Sequence, residues 1–297
     1  MEIIKAKNIS KSYKNRLFSS TDSVLKNLNL TIKPGEAFGL LGRNGAGKTT
    51  FIRIILGLLS FEGGSCKVFG ENPKNPVKNS RIGYLPERFN SFGFLKGHQF
   101  LKDMGNIDSL SSNTKVSELI HLLNFESYVD KRISKYSKGT KQKLLLIHAF
   151  CNDPDLLILD EPTDGLDPMA KDAVRKILKN TKKNGKTILI NSHLLGEVEM
   201  ICDKVGILDQ GSISKTYDIN DLKKKEVLHQ ITIASDESIP ENNLFLTVGS
   251  NEAYHYLNVS TESINEALRI LDQNNISIIS IEKKQFDLEK EVIKYLN

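Results

Sequence analysis

Apolar and polar residues alternate over the first 33 positions of the chain, in two segments at residues 3–13 and 24–32. The polar stretch 14–23 separates them. Alternation with a period of two is typical of a strand that is buried on one face. The pattern therefore predicts an antiparallel pair of strands closed by a loop.

A different pattern follows the Pro34-Gly35 turn. A compact apolar run at residues 37–41 predicts a strand, a glycine-rich loop comes next, and apolar periodicity predicts a helix near residues 48–59. Later in the chain we predict strands and helices in alternation, at residues 156–159 (strand), 168–183 (helix), 187–190 (strand), 195–201 (helix) and 205–208 (strand). Such alternation predicts an α/β fold with a mainly parallel sheet covered on both faces.

Two further regions complete the predicted organisation. Residues 99–151 are mainly helical in pattern, with breaks near 106–113 and at 138–139, which indicates a helical subdomain inserted at about residues 88–150. Beyond Tyr217 the pattern predicts a small α+β domain, with strands at 227–234, 244–248, 254–259 and 276–281 and helices at 262–275 and 288–296. We therefore expect one large domain over residues 1–217 and a second over 218–297.

Composition excludes few classes of protein. Hydrophobic residues make up 39% and charged residues 26% of the chain, and the net charge is only +5. The richest apolar run, residues 51–59, contains Arg53 and falls short of the roughly 20 apolar residues that a membrane-spanning helix needs. Residues 1–5 include an acid and lead into no sustained apolar stretch, so no secretory signal is predicted. The three scattered cysteines fit a reducing compartment and are expected to pack inside the fold: Cys66, Cys151 and Cys202.

The glycine-rich loop fits a phosphate-binding motif, GxxxxGK followed by Ser or Thr. It comprises Gly42, Arg43, Asn44, Gly45, Ala46, Gly47, Lys48 and Thr49, with Thr50 next in the predicted helix. Glycines let successive backbone N–H groups turn toward phosphates, and the helix N-terminus adds the positive end of its dipole. Lys48 is expected to reach the β- and γ-phosphates, and the Thr49 hydroxyl to bind Mg²⁺. A coincidental glycine-rich turn is disfavoured, because spacing, lysine and flanking elements all agree.

Two acids end the apolar strand at residues 156–159. Asp160 is expected at the carboxyl edge of the sheet, beside the phosphate loop, where it would hold Mg²⁺ directly or through water. Glu161 is one residue further on and would polarise the attacking water. Adjacent acids at a strand end are also common as plain surface groups. Their pairing with the phosphate loop favours the catalytic interpretation.

Together with the segment YSKGT at residues 136–140, these motifs resemble the ATPases of ABC transporters over about residues 1–217. The family's signature is usually LSGGQ, so this chain departs from it at three of five positions, in a form similar to exporter ATPases that have separate membrane subunits. The resemblance implies that the Ser137 hydroxyl and the Gly139 N–H contact the γ-phosphate of an ATP held by the opposite subunit. The alternative is that Ser137 is simply a helix N-cap.

The resemblance implies roles for four more residues. Asp167, in a segment similar to the family's D-loop, would cross the dimer interface, and it also suits a helix cap before Pro168. His193 resembles the switch histidine that contacts the γ-phosphate. Tyr13 resembles the aromatic residue that stacks on adenine, although a tyrosine on an edge strand needs no such role. Glu87 stands where the family has its Q-loop glutamine, near Mg²⁺ and the membrane subunits.

The resemblance implies an ATP-hydrolysing subunit of an ABC transporter of the exporter type. It would dimerise around two ATP molecules and two Mg²⁺ ions, with a second copy or a paralogous subunit, and drive a separate transmembrane permease. It would therefore be cytoplasmic and peripheral on the inner face of the plasma membrane, with no nucleic acid bound.

The alternative is a soluble ABC-type ATPase acting on nucleic acid or ribosomes. That alternative is disfavoured because the chain has one set of motifs and no sustained heptads. A nucleotide-binding module without hydrolysis conflicts with the presence of Glu161 and His193.

Overall fold

The structure is a computed structural model that describes residues 2–284 except 15–20, 76–79, 90–91, 108–109, 111–112, 193, 225–227, 235–243, 246 and 252. The described residues form two compact units, which divide after Tyr217. The predicted helix at residues 288–296 lies outside the described residues. Within them, every helix is too short or too polar to cross a membrane.

The first unit contains an antiparallel sheet of three strands in the order β2-β1-β4. These strands are β1 (Ile4–Lys14), β2 (Thr21–Ile32) and β4 (Gly63–Val68). The pairing of β1 with β2 confirms the predicted antiparallel pair. Strand β4 was not predicted, since only Cys66 and Val68 in it are buried and this leaves too short an alternation to recognise.

The second sheet of this unit has six strands in the order β5-β6-β7-β3-β8-β9. Its strands are β3 (Ala37–Leu41), β5 (Ile82–Leu85), β6 (Leu156–Asp160), β7 (Thr187–Asn191), β8 (Lys204–Asp209) and β9 (Ser212–Asp218). The strands from β5 to β8 pair in parallel, which confirms the predicted mainly parallel sheet. All residues of β3, β6 and β7 are buried, because both faces of the sheet are covered.

Among the described residues of the first unit, six α-helices accompany these sheets: α1 (Lys48–Ile55), α2 (Gly97–Gly105), α3 (Thr114–Leu122), α4 (Lys138–Phe150), α5 (Pro168–Lys183) and α6 (Leu195–Ile201). Helices α2 to α4 lie between β5 and β6 in the chain and form the predicted helical insertion. One buried apolar cluster joins Ile4 and Leu25 of the antiparallel sheet, Phe51 of α1 and Leu189 of β7. The start of α1 is thereby fixed between the two sheets.

The second unit has a four-stranded antiparallel sheet in the order β11-β12-β10-β13. It comprises α7 (Ile219–Lys224), β10 (Leu228–Ala234), β11 (Thr247–Ser250), β12 (Tyr254–Ser260), α8 (Ile264–Gln273) and β13 (Ile278–Lys284). Ala267 and Leu271 of α8 pack in a core with Ile231, Ile233 and Leu257 of the sheet. This confirms the predicted α+β fold and the predicted apolar stripe of α8.

The packing of α4 on α2 makes stability depend on pH through His148. Its Nε2 lies 3.2 Å from the Met104 carbonyl oxygen, its ring is 5.3 Å from the Phe100 ring, and burial lowers its pKa from 6.5. The unfolded chain therefore binds a proton at a higher pH than the folded one, and stability is lost as pH falls below about 6.5. We expect His148→Gln to reduce the fall in Tm between pH 7.5 and 5.5 by about 2–4 °C. His121→Gln, at an exposed histidine of α3, is the matched control, and equal pH slopes in all three proteins would contradict this prediction.

Candidate functional site

A cavity of about 650 Å³ lies at the carboxyl edge of the parallel sheet. Its lining contains most of the predicted phosphate loop together with acids at or beyond the ends of β5 and β6: Val24, Asn44, Gly45, Gly47, Lys48, Thr49, Thr50, Glu87, Arg88, Asp160, Glu161, Asp164 and Asn191. The fold thus brings together residues that are more than 100 positions apart in the sequence. Seven of the predicted site residues that the structure describes do not line this cavity: Gly42, Arg43 and Ala46 of the phosphate loop, and Tyr13, Ser137, Gly139 and Asp167. His193 lies outside the described residues.

The phosphate loop needs its glycines for steric reasons. Gly47, the N-cap of α1, has a φ of 109°, and a Cβ there would lie 2.9 Å from the Val24 carbonyl oxygen. At Gly42 a Cβ would lie 2.3 Å from the Leu208 carbonyl oxygen. The loop therefore packs directly against β2 and β8. Gly45, Gly47 and Lys48 line the cavity at the start of α1, where the N–H groups of a helix N-terminus suit an anion.

Lys48 lies across the phosphate loop. Its Nζ donates hydrogen bonds to the carbonyl oxygens of Gly42, at 2.6 Å, and Arg43, at 3.0 Å. Burial lowers the pKa of Lys48, while the charges of Glu161, Asp160 and Glu87 raise it. The ammonium is therefore held between the loop and the acidic wall of the cavity, which is where a triphosphate would need a positive charge.

Asp160 ends β6 with only 1% of its surface exposed. The Asn191 side chain, opposite Asp160 in the register of β6 and β7, donates to its Oδ1. The other carboxylate oxygen, Oδ2, is buried without a hydrogen-bond partner among the described residues. Burial raises the pKa of Asp160 to about 6, and Glu87 and Glu161 add to the effect. A buried, unpartnered carboxylate oxygen in the same cavity as the Thr49 hydroxyl suits a hard divalent cation.

The donor set is too sparse to hold a cation alone. Within the part of the chain that the structure describes, three or more His, Cys, Asp or Glu groups nowhere converge in a metal-ligating cluster. Mg²⁺ commonly binds through one or two protein ligands, waters and the phosphates of its nucleotide. Asp160 and Thr49 match that pattern. The site therefore fits a cation that arrives with a phosphorylated ligand.

Hydrogen bonds to both the N–H and the carbonyl oxygen of Glu161 hold this residue in place. Its φ of 51° is uncommon for a residue with a side chain. Its N–H donates to the Asn191 carbonyl oxygen at 2.8 Å, and its own carbonyl accepts from Gln142 Nε2 of α4 at 2.8 Å. Ser192 Oγ lies 3.3 Å from Glu161 Oε2. These contacts fix the turn after β6, so that both Asp160 and Glu161 line the cavity.

Glu87 follows β5 and also lines the cavity. Its Oε1 is 3.8 Å from Arg88 Nε, and its charge raises the pKa of both Lys48 and Asp160. The predicted Q-loop residue is therefore electrostatically coupled to the phosphate loop and to the candidate cation ligand. Its role as the Q-loop residue, near Mg²⁺ and the membrane subunits, stays a prediction.

The signature segment starts α4 at the surface of the chain. Ser137 is the N-cap, and its Oγ accepts from the Thr140 N–H at 3.2 Å. A Cβ at Gly139 would lie 2.5 Å from the Gly165 carbonyl oxygen. The capping interpretation of Ser137 is thus confirmed, and the segment is packed against the loop that follows Glu161.

Asp167 and Tyr13 also lie at the surface. Asp167 caps α5, since its Oδ1 accepts from the Ala170 N–H at 2.9 Å, and this hydrogen bond lowers its pKa. Tyr13 lies on β1 with 41% of its surface exposed, and Lys11 Nζ is 5.6 Å from its ring centroid. The helix-cap alternative for Asp167 is confirmed. The proposed contacts of both residues with nucleotide or with a second subunit stay predictions.

Sequence reasoning missed several polar residues that support the site. Asn191 could have been found, because it ends the strand beside β6 at the level of Asp160. Gln142 carries no such signal, since a buried polar residue on a helix reveals its partner only in the folded chain. The same holds for Glu197, which is 4% exposed, accepts from Thr163 Oγ1 at 2.5 Å and lies 3.3 Å from Arg175 Nη2. This buried network ties the loop after Glu161 to α5 and α6.

Comparison with known proteins gives matches over most of the chain. A family model described as ABC transporter matches residues 25–164. The bacitracin transport ATP-binding protein BcrA of Enterococcus faecalis is 30% identical over 299 aligned positions, which cover 97% of this chain and 94% of that protein. The Nod factor export ATP-binding protein I of Cupriavidus metallidurans is 35% identical over 214 positions, 70% of this chain and 69% of that protein. An uncharacterized ABC transporter ATP-binding protein of Synechocystis is 36% identical over 217 positions, 71% of this chain but only 61% of that protein.

Solved structures show the same fold. The ATP-binding subunit of an ABC transporter superposes with a TM-score of 0.67 at 27% identity, covering 75% of this chain and 92% of that one. A dimeric ATP-binding cassette in a post-hydrolysis state, bound to ADP and Pi, also has a TM-score of 0.67, at 21% identity, covering 73% of this chain and 98% of that one. The second match establishes likeness of fold only.

Proposed function

We propose, because this chain belongs to the family of ABC transporter ATP-binding proteins, that two copies of its ATPase domain close head to tail around ATP and drive a separate transmembrane subunit. One observation carries the head-to-tail arrangement. The cavity is lined by residues of the phosphate loop and by Asp160 and Glu161, whereas Ser137 and Gly139 do not line it in their own chain. A second protomer would supply them. Residues 1–217 would form the ATP-binding domain, and residues 218–297 an accessory domain.

The cavity supplies the chemistry of hydrolysis. Glu161 would accept a proton from a water as the water oxygen attacks the γ-phosphorus. The bond from the γ-phosphorus to the bridging oxygen then breaks, which gives ADP and phosphate. Lys48 and the N–H groups of the loop would stabilise the charge on the phosphates, and His193 would contact the γ-phosphate. Thr49, Asp160 and Glu87 would hold Mg²⁺, which neutralises phosphate charge when bound.

The dimer would convert nucleotide binding into movement. Ser137 Oγ and the Gly139 N–H would contact the γ-phosphate of the ATP held by the partner, Tyr13 would stack on the adenine of its own ATP, and Asp167 would cross the interface. ATP then binds the closed dimer more tightly than the separated protomers, and this difference in affinity is the source of work. Hydrolysis removes the γ-phosphate and with it the contacts that keep the dimer closed. The second copy is either identical or a paralogous subunit.

The relatives support transport out of the cell. Proteins named for bacitracin transport and Nod factor export align with 97% and 70% of this chain. We therefore propose an exporter whose permease is a separate protein, with this subunit bound to it on the cytoplasmic face of the plasma membrane. The second unit would support the dimer or regulate it.

Co-purification tests this function. The tagged chain, expressed with the product of a neighbouring gene that encodes about six hydrophobic spans, should be recovered with it from detergent-solubilised membranes. ATP hydrolysis by the complex in lipid nanodiscs should rise when the transported substrate is added. Recovery with ribosomes or nucleic acid instead, and ATPase activity stimulated by them, would replace the transporter assignment with the nucleic-acid alternative.

A substitution at Gly139 tests the signature segment. In Gly139→Ala the new Cβ would lie 2.5 Å from the Gly165 carbonyl oxygen and would displace the start of α4. Because a displacement of about 1 Å can cost a factor of 10², we expect kcat to fall roughly 10- to 100-fold. Nucleotide affinity of the monomer should change less than about twofold, since Gly139 is outside the cavity of its own chain.

The matched control is Gly249→Ala in β11, where the nearest atom to a Cβ is 3.9 Å away. Its ATPase rate should equal that of the parent protein. Melting temperatures verify that both variants are folded. Wild-type kcat in a folded Gly139→Ala protein would contradict the role of the signature segment.

A further inference from the structure

Lys138 is an unusual first residue for a helix. It begins α4 directly after the N-cap Ser137, and the first turn of α4 contains no acid. A positive charge at this end opposes the helix dipole, so helix formation gives no reason for a lysine here. The reason lies in a tertiary contact. Lys138 Nζ is 2.5 Å from Asp164 Oδ2, in the loop that follows Glu161.

Stability does not account for this contact either. The Lys138 and Asp164 side chains are 69% and 39% exposed. Ion pairs this open to solvent contribute little to the free energy of unfolding, because water screens the charges and both side chains lose conformational freedom. Lys138 can therefore exchange Asp164 for another negatively charged group at a small cost in free energy.

The position of the pair connects two parts of the molecule. Asp164 lines the nucleotide cavity with Lys48 and Glu161, and its N–H donates to the Glu161 carbonyl oxygen at 3.2 Å. Lys138 lies between Ser137 and Gly139, the residues proposed to meet the ATP of the partner. One ion pair thus joins the acidic wall of a protomer's own site to the segment that would complete the opposite site.

We propose that Lys138 exchanges Asp164 for the γ-phosphate of the partner-bound ATP when the dimer closes. This inference rests on the proposed head-to-tail dimer. A triphosphate carries several negative charges and competes with the single carboxylate for the ammonium, which binds phosphate as a point charge. ADP has no γ-phosphate, so the Lys138–Asp164 pair persists with ADP. Lys138 would then determine the specificity of closure for ATP, and Asp164 would oppose closure.

Dimerisation of a hydrolysis-deficient parent tests the Lys138 contact. In a Glu161→Gln parent, analytical ultracentrifugation at increasing ATP and Mg²⁺ gives the ATP concentration at half-dimerisation. Adding Lys138→Ala should raise this concentration at least roughly tenfold, the value expected for a lost charged contact. Adding Lys138→Arg should restore it to within about threefold, since the charge is retained. Lys135→Ala, which removes an exposed lysine three residues upstream, should leave it unchanged.

The other member of the pair should act in the opposite direction. Asp164→Asn frees Lys138, so half-dimerisation should occur at an ATP concentration several-fold lower. Because Asp164 also lines the cavity, its neutralisation alters binding of the protomer's own ATP. The double variant Lys138→Ala with Asp164→Asn separates the two effects. Only the direct effect on the cavity persists without Lys138, so the gain from Asp164→Asn should be smaller in the Lys138→Ala background.

Three results would each overturn the proposed exchange, for different reasons. If both single variants hinder dimerisation, the pair only supports the loop structure, and the exchange is overturned. Dimerisation that is insensitive to Lys138→Ala overturns the exchange alone. If the Glu161→Gln parent stays monomeric at saturating ATP, the proposed dimer fails and the exchange fails with it.

Discussion

Glu161→Gln should lower kcat for ATP hydrolysis by roughly 10²- to 10⁴-fold, the range expected when a positioned general base is lost. The backbone contacts of Glu161 with Asn191 and Gln142 do not involve its carboxylate, so the turn after β6 should persist. ATP should still bind, because Lys48 and the phosphate loop are unchanged. The measurement is steady-state ATPase activity together with ATP-dependent dimerisation.

The control for this prediction is Glu118→Gln, at an exposed glutamate of α3. It makes the same chemical change far from the phosphate loop in the sequence, and its kcat should match that of the wild type. We expect Glu161→Gln with ATP to accumulate as a dimer. Hydrolysis at the wild-type rate by purified Glu161→Gln would exclude Glu161 as the base.

Lys48→Ala should lose most of its affinity for ATP. The side chain supplies the ammonium that lies between the phosphate loop and the acids Asp160, Glu161 and Glu87. Its loss leaves three acids facing the triphosphate and removes a charged contact, so we expect Kd for ATP to rise by roughly 10²-fold or more. Hydrolysis should fall to background. Titration with a fluorescent ATP analogue or by calorimetry measures the effect.

Lys7→Ala is the matched control for Lys48→Ala, because Lys7 is an exposed lysine of β1. It removes the same charge without touching the cavity lining. Its affinity for ATP should equal that of the wild type. Normal ATP affinity in a folded Lys48→Ala protein would exclude the phosphate loop as the nucleotide site.

The phosphate loop and the adjacent acids Asp160 and Glu161 were predictable because their signals are local. The loop motif fixes the spacing of glycines and lysine, and the adjoining apolar runs predict β3 and β6. All residues of these two strands are buried, as such runs require. Since carboxyl ends of parallel strands meet at one edge of a sheet, Asp160 falls beside the loop that follows β3.

The remaining parts of the fold and site depend on tertiary contacts, which the local pattern of apolar and polar residues does not reveal. Strand β9 was not predicted, because only Tyr217 in it is buried and apolar alternation is weak. Gln142 reaches the Glu161 carbonyl, and Lys138 reaches Asp164, only after α4 has packed against the loop that follows β6. The cap of Ser137 was predictable from the sequence, and the family resemblance already implied that Ser137 serves the site of the opposite subunit.

A structure of Glu161→Gln bound to ATP and Mg²⁺ tests the head-to-tail dimer most directly. We predict two triphosphates at the interface of two protomers. Each triphosphate should contact Lys48 of one protomer and the Ser137–Gly139 segment of the other. A complex in which each triphosphate touches a single protomer, with the second copy remote, would contradict the proposed ATPase cycle.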